Sequence, residues 1–207
     1  MAGTLSQPQF DVLYALLRAD AALTQRQIHA STGLSLGSVN AVVRECEALG
    51  HIAERRITES GRSALEPYRV DNAVIMAAGL SQRLAPISYE RPKGTLRVHG
   101  EVLVERQIKQ LHEAGIADVT LVVGYKKEYF FYLAEQFGVR IVVNDDYVQR
   151  NNNGSLWVVR EGLGNTYVCS SDDYFTVNPF ESRASISEMP RLIRAEIVAG
   201  TVLDESN

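Results

Sequence analysis

Residues 73–83, which read AVIMAAGLSQR, decide how the larger part of this 207-residue chain folds. Residues 73–76 form a continuous apolar run, which is typical of a central parallel strand covered on both faces. The small residues that follow let backbone N–H groups approach a phosphate, and Arg83 adds a forked cation for a phosphate chain. G-x-G-x-x-G and G-K-[ST] are both absent, which excludes a dinucleotide fingerprint and a Walker loop. The stretch therefore predicts a strand that leads into a phosphate-binding loop of another kind.

Strands and helices alternate after this stretch. Apolar runs predict strands at residues 119–123, 140–143 and 166–170, and helical spacing predicts helices at about 102–114, 126–137 and 155–162. Such alternation implies right-handed crossovers and a mostly parallel sheet. Ligands of such sheets bind beyond the carboxyl ends of the strands.

Three further polar motifs fall at these ends. Pro92 fixes the backbone before Lys93, so that a single lysine is presented rigidly toward the site. Residues 151–155, NNNGS, supply amides and a hydroxyl at a helix start, where a base or ribose can be read. Residues 170–173, SSDD, place carboxylates directly after a strand, where Mg²⁺ bound to a triphosphate needs an oxygen ligand. Each motif also occurs as ordinary loop chemistry, but their order and shared location favour a nucleotide site.

In that order, M-A-A-G-L-S-Q-R, P-K, V-V-G-Y, N-N-x-G-S-L and S-S-D-D-Y resemble the nucleotidyltransferases with a Rossmann-like core. The resemblance is greatest to the phosphocholine cytidylyltransferase-like branch and covers about residues 72–180. It implies a three-layer α/β/α domain, here residues 71–207. It also implies roles for residues of the motifs. The backbone would hold the nucleotide at Ala77, Ala78, Gly79 and Leu80. Arg83 would bind the β- and γ-phosphates, and Lys93 would neutralise charge at the α-phosphate. Asn152 and Ser155 would line the nucleotide side, and Asp172 would hold Mg²⁺.

The activity implied by the resemblance is Mg²⁺-dependent transfer of a nucleoside monophosphate to a small phosphate ester, with release of pyrophosphate. CTP is the favoured nucleotide and phosphocholine the favoured acceptor, and a sugar-1-phosphate is the alternative acceptor. The residues agree with this chemistry, because a phosphate nucleophile is already an anion and requires no general base. The four histidines accordingly lie outside every motif.

The sequence departs from the family in two places. Ser81 stands where many members carry a second glycine, and a serine still donates to phosphate. Residues 183–207 show no family pattern, so we expect the C-terminal part of the nucleotidyltransferase domain to be incomplete. This departure leaves an alternative function open, in which the domain senses a ligand without turning it over.

Residues 1–68 predict a winged helix-turn-helix domain. Three helices and a short basic β-ribbon follow one another, and the predicted capping residues of the helices are Ser6, Thr24 and Ser35. The stretch from Thr24 to Ile52 resembles the DNA-reading half of bacterial winged-helix regulators. The resemblance implies that DNA contacts come from Ser35, Ser38, Asn40 and Arg44 on the third helix and from Arg55 and Arg56 on the wing.

The charge of these first residues weighs against strong DNA affinity. Residues 1–70 hold seven arginines and seven acidic residues, so their net charge is zero, and the whole −4 charge arises from the rest of the chain. Release of counterions would therefore be weak for one copy. The alternative reading of the chain is a DNA-binding regulator with a catalytically incomplete nucleotide domain. A winged helix can also serve as a docking or dimerisation module, and because winged helices often pair, a homodimer is one of the open alternatives.

Composition limits the class of protein. Hydrophobic residues make up 45% and charged residues 22%, as in ordinary globular chains. No apolar run approaches the length of a membrane span, and the N-terminus lacks the pattern of a secretory signal. Cys46 and Cys169 are too few and too far apart for a disulfide framework or thiolate metal site, so both are expected to be buried apolar residues. The sequence therefore predicts a soluble cytoplasmic protein.

Overall fold

The computed structural model describes residues 5–79, 90–147, 152–184 and 192–193, and the chain divides into two units, residues 1–69 and 70–207. The helices of the first unit are α1 (Gln7–Ala19), α2 (Gln25–Thr32), α3 (Leu36–Ala48) and α4 (Glu59–Leu65). A two-stranded antiparallel ribbon of β1 (Ile52–Ala53) and β2 (Arg56–Ile57) lies between α3 and α4. This order confirms the predicted winged helix-turn-helix.

Side-chain caps set the helix starts of the first unit. The Thr24 N–H donates to Gln27 Oε1 at 2.8 Å, and the Gln27 N–H donates back to Thr24 Oγ1 at 3.3 Å. Ser35 Oγ accepts the Ser38 N–H at 3.1 Å at the start of α3. Each cap satisfies backbone N–H groups that the first helical turn leaves unpaired, so the chain enters these helices where the sequence predicts.

One apolar core holds the first unit together. Val39, Val42 and Cys46 on α3 pack with Phe10 and Leu13 of α1 in a single buried cluster. Cys46 is fully buried, as predicted, and burial followed by the neighbouring Glu45 carboxylate raises the pKa of its thiol to about 11. The thiol is therefore protonated at neutral pH and acts as a small apolar group.

The second unit is built on a five-stranded sheet, whose strands are β3 (Asn72–Ala77), β6 (Val119–Val123), β7 (Arg140–Val143), β8 (Thr166–Ser170) and β9 (Leu192–Ile193). Their order across the sheet is β7-β6-β3-β8-β9. The first four are mutually parallel, and β9 pairs antiparallel with β8. The helices are α5 (Leu103–Glu113), α6 (Tyr132–Phe137) and α7 (Asn152–Trp157).

Helices cover both faces of the sheet. Ile75 of β3 belongs to a buried cluster with Ile108 of α5 and Leu133 of α6. The next residue toward the N-terminus, Val74, belongs to a separate cluster with Leu156 of α7. Successive residues of a strand point to opposite faces, so the continuous apolar run of β3 serves two layers. This arrangement confirms the expected three-layer α/β/α fold.

The structure differs from the sequence-based elements in three places. The helix expected at 126–137 is a 3₁₀ turn, Lys127–Phe130, followed by α6, with Lys126 in the left-handed region at φ 52°. The helix expected at 155–162 is α7, which begins earlier, followed by a 3₁₀ turn. A hairpin of β4 (Arg97–Val98) and β5 (Glu101–Val102), turned at His99 and Gly100 with positive φ, was not predicted.

Within the described parts of the chain, no helix is long and apolar enough to cross a membrane.

Candidate nucleotide site

The carboxyl end of the central strand β3 is fixed from both sides. The Ser171 N–H, just after β8, donates to Met76 O at 3.1 Å, and the Tyr125 N–H, after β6, donates to Ala78 O at 3.3 Å. Ala77 and Ala78 are buried, whereas Gly79 is exposed, and no described residue lies within 4 Å of where its Cβ would be. The chain therefore leaves the sheet at a rigid point with an unobstructed backbone, which suits close approach of a phosphate.

Lys93 and Asp172 meet at this end of the sheet. Lys93 opens a 3₁₀ turn behind the buried Pro92, and Asp172 follows β8 by two residues. Lys93 Nζ lies 3.4 Å from Asp172 Oδ2, with side chains 23% and 37% exposed. The structure thus brings together the predicted phosphate cation and the predicted metal ligand, although 79 positions separate them in sequence.

The Asp172 carboxyl is held as an anion. Burial alone would raise its pKa, but the hydrogen bond from the Ser170 hydroxyl and the charge of Lys93 together outweigh burial and keep the pKa below its ordinary value. The carboxylate consequently remains available as a cation ligand throughout the neutral pH range.

Gly94 allows Lys93 to come this close to β8. A Cβ at Gly94 would lie 2.8 Å from Ser171 Cβ, 2.9 Å from Ser171 Oγ and 3.2 Å from Ser171 O. Only glycine therefore lets the turn of Lys93 lie directly on the Ser171 backbone without a shift. Gly94 belongs to none of the predicted motifs, although its place directly after Pro92 and Lys93 is a recognisable signal.

Gly124 and Asn144 shape the neighbouring part of the same edge. A Cβ at Gly124 would lie 2.8 Å from Tyr147 Cβ and Cγ and 2.9 Å from Ala78 O. Asn144 is buried at the end of β7, and its Nδ2 donates to Ser155 Oγ at 3.2 Å. Ser155, predicted to line the nucleotide side, is itself buried and joins α7 to β7 through this hydrogen bond. Its contact with a nucleotide stays a prediction.

Several predicted site residues are not described. Leu80 and Arg83 lie outside the described residues, and α7 begins at Asn152, whose side chain is likewise not described. The roles that the resemblance implies for these three residues therefore stay predictions.

The donor set of the site fits a cation that arrives with its substrate. Among the described residues, no group of three or more histidine, cysteine, aspartate or glutamate side chains is arranged to hold a metal. Mg²⁺ in nucleotide enzymes is commonly held by one or two carboxylates together with substrate phosphates and water. Asp172, anionic and partly exposed, meets that requirement.

The predicted DNA-contact residues of the first unit lie on α3, at its N-cap and in the ribbon. Ser35 caps α3 and its hydroxyl is 2.8 Å from that of Ser38, whereas Asn40 Oδ1 accepts Gln25 Nε2 at 3.2 Å. Arg44 and Arg55 are exposed and line, with Asn40, Glu47 and several apolar side chains, a cleft of about 270 Å³. Arg56 is exposed on β2 of the ribbon.

Each unit matches a known protein family. Residues 73–178 match the family described as the MobA-like NTP transferase domain, and residues 4–63 match the MarR family. The choline-phosphate cytidylyltransferase of Streptococcus pneumoniae is 46% identical over 110 residues, which are 53% of this chain and 48% of that protein. The 2-aminoethylphosphonate cytidylyltransferase of Lancefieldella rimae is 40% identical over 104 residues, 49% of this chain and 42% of that protein.

A solved structure of a cytidylyltransferase is also similar to this chain. The CTP:phosphocholine cytidylyltransferase of Streptococcus pneumoniae superposes with a TM-score of 0.54 at 45% sequence identity, covering 56% of this chain and 51% of that chain. The chain therefore spans about half the length of the relatives that it matches.

Proposed function

Since the chain belongs to the family of MobA-like NTP transferase domains, we propose that its second unit transfers CMP from CTP to a small phosphate ester such as phosphocholine and releases pyrophosphate. The observation that carries the proposal is the Lys93–Asp172 pair, an ammonium and an anionic carboxylate held 3.4 Å apart at the end of the sheet where β3 passes into the buried Ala78. The names of the cytidylyltransferases from S. pneumoniae and L. rimae support cytosine as the base and a phosphate or phosphonate as the acceptor.

The reaction needs positioned charge more than proton transfer. An oxygen of the acceptor phosphate attacks the α-phosphorus, a new P–O bond forms, and the bond to the bridging oxygen breaks so that pyrophosphate leaves with the electron pair. Lys93 would stabilise the negative charge that gathers on the α-phosphate, and Arg83 would bind the β- and γ-phosphates. The backbone at residues 77–80 would hold the nucleotide. Fixed cations of this kind contribute because they are already oriented before the reaction.

Asp172 is the residue that would hold Mg²⁺, with the remaining ligands supplied by phosphate oxygens and water. When bound, the cation neutralises phosphate charge and so favours departure of pyrophosphate. Asn152 and Ser155 remain candidates for contacts on the base and ribose side.

A nucleotide panel tests the proposal. We expect CTP with Mg²⁺ to raise the thermal unfolding midpoint, since a ligand at a hundredfold excess over its Kd stabilises the folded state by about 2.7 kcal/mol. UTP, ATP and GTP serve as specificity controls, and the Arg83→Ala variant should lose the response. Pyrophosphate release is then measured with phosphocholine and with a sugar-1-phosphate, the alternative acceptor. A chain that no nucleotide stabilises would contradict the proposal and favour the regulator alternative.

We propose DNA binding as a second function, for the first unit, because residues 4–63 match the MarR family and the exposed arginines Arg44, Arg55 and Arg56 lie on α3 and the ribbon. Ser35, Ser38 and Asn40 would face the major groove with Arg44, while Arg55 and Arg56 would contact phosphates. Zero net charge in residues 1–70 implies that affinity depends on these local cations and not on overall charge.

The salt dependence of binding tests this second function. For a fluorescently labelled random-sequence duplex, we expect Arg56→Gln to weaken binding and to reduce the slope of log K against log salt by about 1, since one phosphate contact is lost. Arg62→Gln on α4 is the matched control, because its guanidinium pairs with Asp20 at 3.3 Å instead. Equal slopes for the two variants would remove the ribbon from the DNA interface.

A further inference from the structure

Gln107 is a polar residue in an apolar position. It lies on α5 next to the buried Ile108 and is itself only 1% exposed. Its Nε2 donates two hydrogen bonds, to Ser170 O at 2.8 Å and to Asp173 O at 2.9 Å. A primary amide has two N–H donors, so this one nitrogen uses its full capacity on two carbonyl groups.

The two acceptors of Gln107 lie on either side of Asp172. Ser170 is the last residue of β8 and Asp173 lies three positions later, so the amide closes the turn that carries the carboxylate. Neighbouring polar residues of α5 donate hydrogen bonds to carbonyl groups further along the chain. Gln110 Nε2 donates to Phe175 O at 3.2 Å, and Arg106 donates to Phe175 O at 2.9 Å and Thr176 O at 3.3 Å.

The other polar atom of the Gln107 amide shows that a glutamine at this position destabilises the core. Gln107 Oε1 is buried and has no hydrogen-bond partner in the described part of the chain. An unpaired buried polar atom destabilises the folded state, so stability alone would favour an apolar residue at this position. Rotation of the amide is no remedy, because it would place Oε1 against two carbonyl oxygens.

We propose that Gln107 is a positioning residue for Asp172. By fixing Ser170 and Asp173, it holds the carboxylate at the place where the cation of the metal–nucleotide complex is bound. This inference rests on the proposed function, since Asp172 is the metal ligand there. Groups that orient a metal ligand without touching the metal typically change metal affinity by about 10–100-fold when they are removed.

The test separates the metal-dependent part of nucleotide binding from the rest. The Kd of CTP is measured by calorimetry with Mn²⁺ and with EDTA, and the ratio of the two values reports what the metal adds. We expect Gln107→Met, which keeps an unbranched side chain of similar length, to reduce this ratio about tenfold. The Kd of CTP measured for Gln107→Met with EDTA should differ from the wild-type value by less than about twofold.

Gln110→Met is the matched control, since it removes a buried amide of the same helix that, among the described residues, donates to Phe175 and not to the turn of Asp172. We expect its ratio to stay within about twofold of the wild-type ratio. Gln107→Glu is a conservative variant, because a protonated carboxyl retains one of the two donors, and it should fall between wild type and Gln107→Met. If Gln107→Met fails to fold, the ratio measured for Gln107→Glu tests the positioning role instead.

The outcomes distinguish failure of the positioning role of Gln107 from failure of the proposed function. Equal loss in the Gln107 and Gln110 variants, or no loss in either, overturns the positioning role while CTP binding keeps the proposed function. A wild-type ratio that survives in Asp172→Ala overturns the metal site and the positioning role together. A wild-type chain that binds no CTP overturns the proposed function and, with it, this inference.

Discussion

Replacement of Lys93 by methionine is expected to slow pyrophosphate release from CTP by about 10²–10³-fold, the usual effect of removing one fixed donor from a developing charge. Methionine keeps the unbranched side chain but lacks the ammonium that lies 3.4 Å from Asp172. The loss should appear in kcat at saturating CTP and phosphocholine, because the charge on the α-phosphate increases in the transition state.

Lys109→Met provides the control for Lys93→Met. Lys109 is exposed on α5, and its Nζ lies 5.9 Å from the centre of the Phe137 ring, so the variant removes a lysine without altering the site. Its kcat should match that of the wild type. A kcat for Lys93→Met within about threefold of the wild-type value would exclude Lys93 from the reacting centre.

Addition of one methyl group at Gly94 is expected to lower both the stability of the fold and the activity of the site. The new Cβ of Gly94→Ala would lie 2.8 Å from Ser171 Cβ and 2.9 Å from Ser171 Oγ, closer than carbon and oxygen atoms pack. Overpacking of this kind typically lowers the free energy of unfolding by about 1–3 kcal/mol. Because the turn must move away from β8, Lys93 should also be displaced from Asp172 and kcat should fall.

A second substitution tests the cause of that damage. Ser171→Gly removes two of the three atoms nearest to the new methyl group and leaves the third, Ser171 O, at 3.2 Å. Chemical denaturation should show that Gly94→Ala costs less in the Ser171→Gly background, with a coupling of about 0.5–3 kcal/mol. Gly162→Ala, whose Cβ meets nothing nearer than 3.6 Å, is the control. Additive effects of the two substitutions would mean that the contact is not the source of strain.

The meeting of Lys93 and Asp172 was predictable from the sequence because parallel topology determines it. Once β3 and β8 are assigned as neighbouring parallel strands, their carboxyl ends lie at one edge, and motifs that follow them converge. The capping residues Thr24 and Ser35 were predictable for a local reason, since their partners lie three positions away. The matches to the MobA-like NTP transferase and MarR families confirm the resemblances from which the domain types were inferred.

Other parts of the site depend on contacts that no local pattern encodes. Gln107 has the spacing of a core position on α5, and its acceptors lie more than sixty residues away. The hairpin of β4 and β5 is too short for an alternating pattern, and its turn requires a positive φ at His99, which a non-glycine residue adopts uncommonly. The aromatic run after Lys126 resembles a helix in spacing, yet Phe130 enters the core from a 3₁₀ turn.

The position of β3 at the centre of the sheet affects how the chain folds during its synthesis. Asn72 pairs with Thr166, 94 residues later, so one side of β3 has no partner until β8 has been synthesised. At about 5–20 residues per second, the ribosome needs on the order of 5–20 s to reach that point. During this interval β3, with its apolar residues Val74 and Ile75, is open to pairing with strands of other nascent chains. The period between synthesis of β3 and β8 is therefore when we expect chaperones to be most needed.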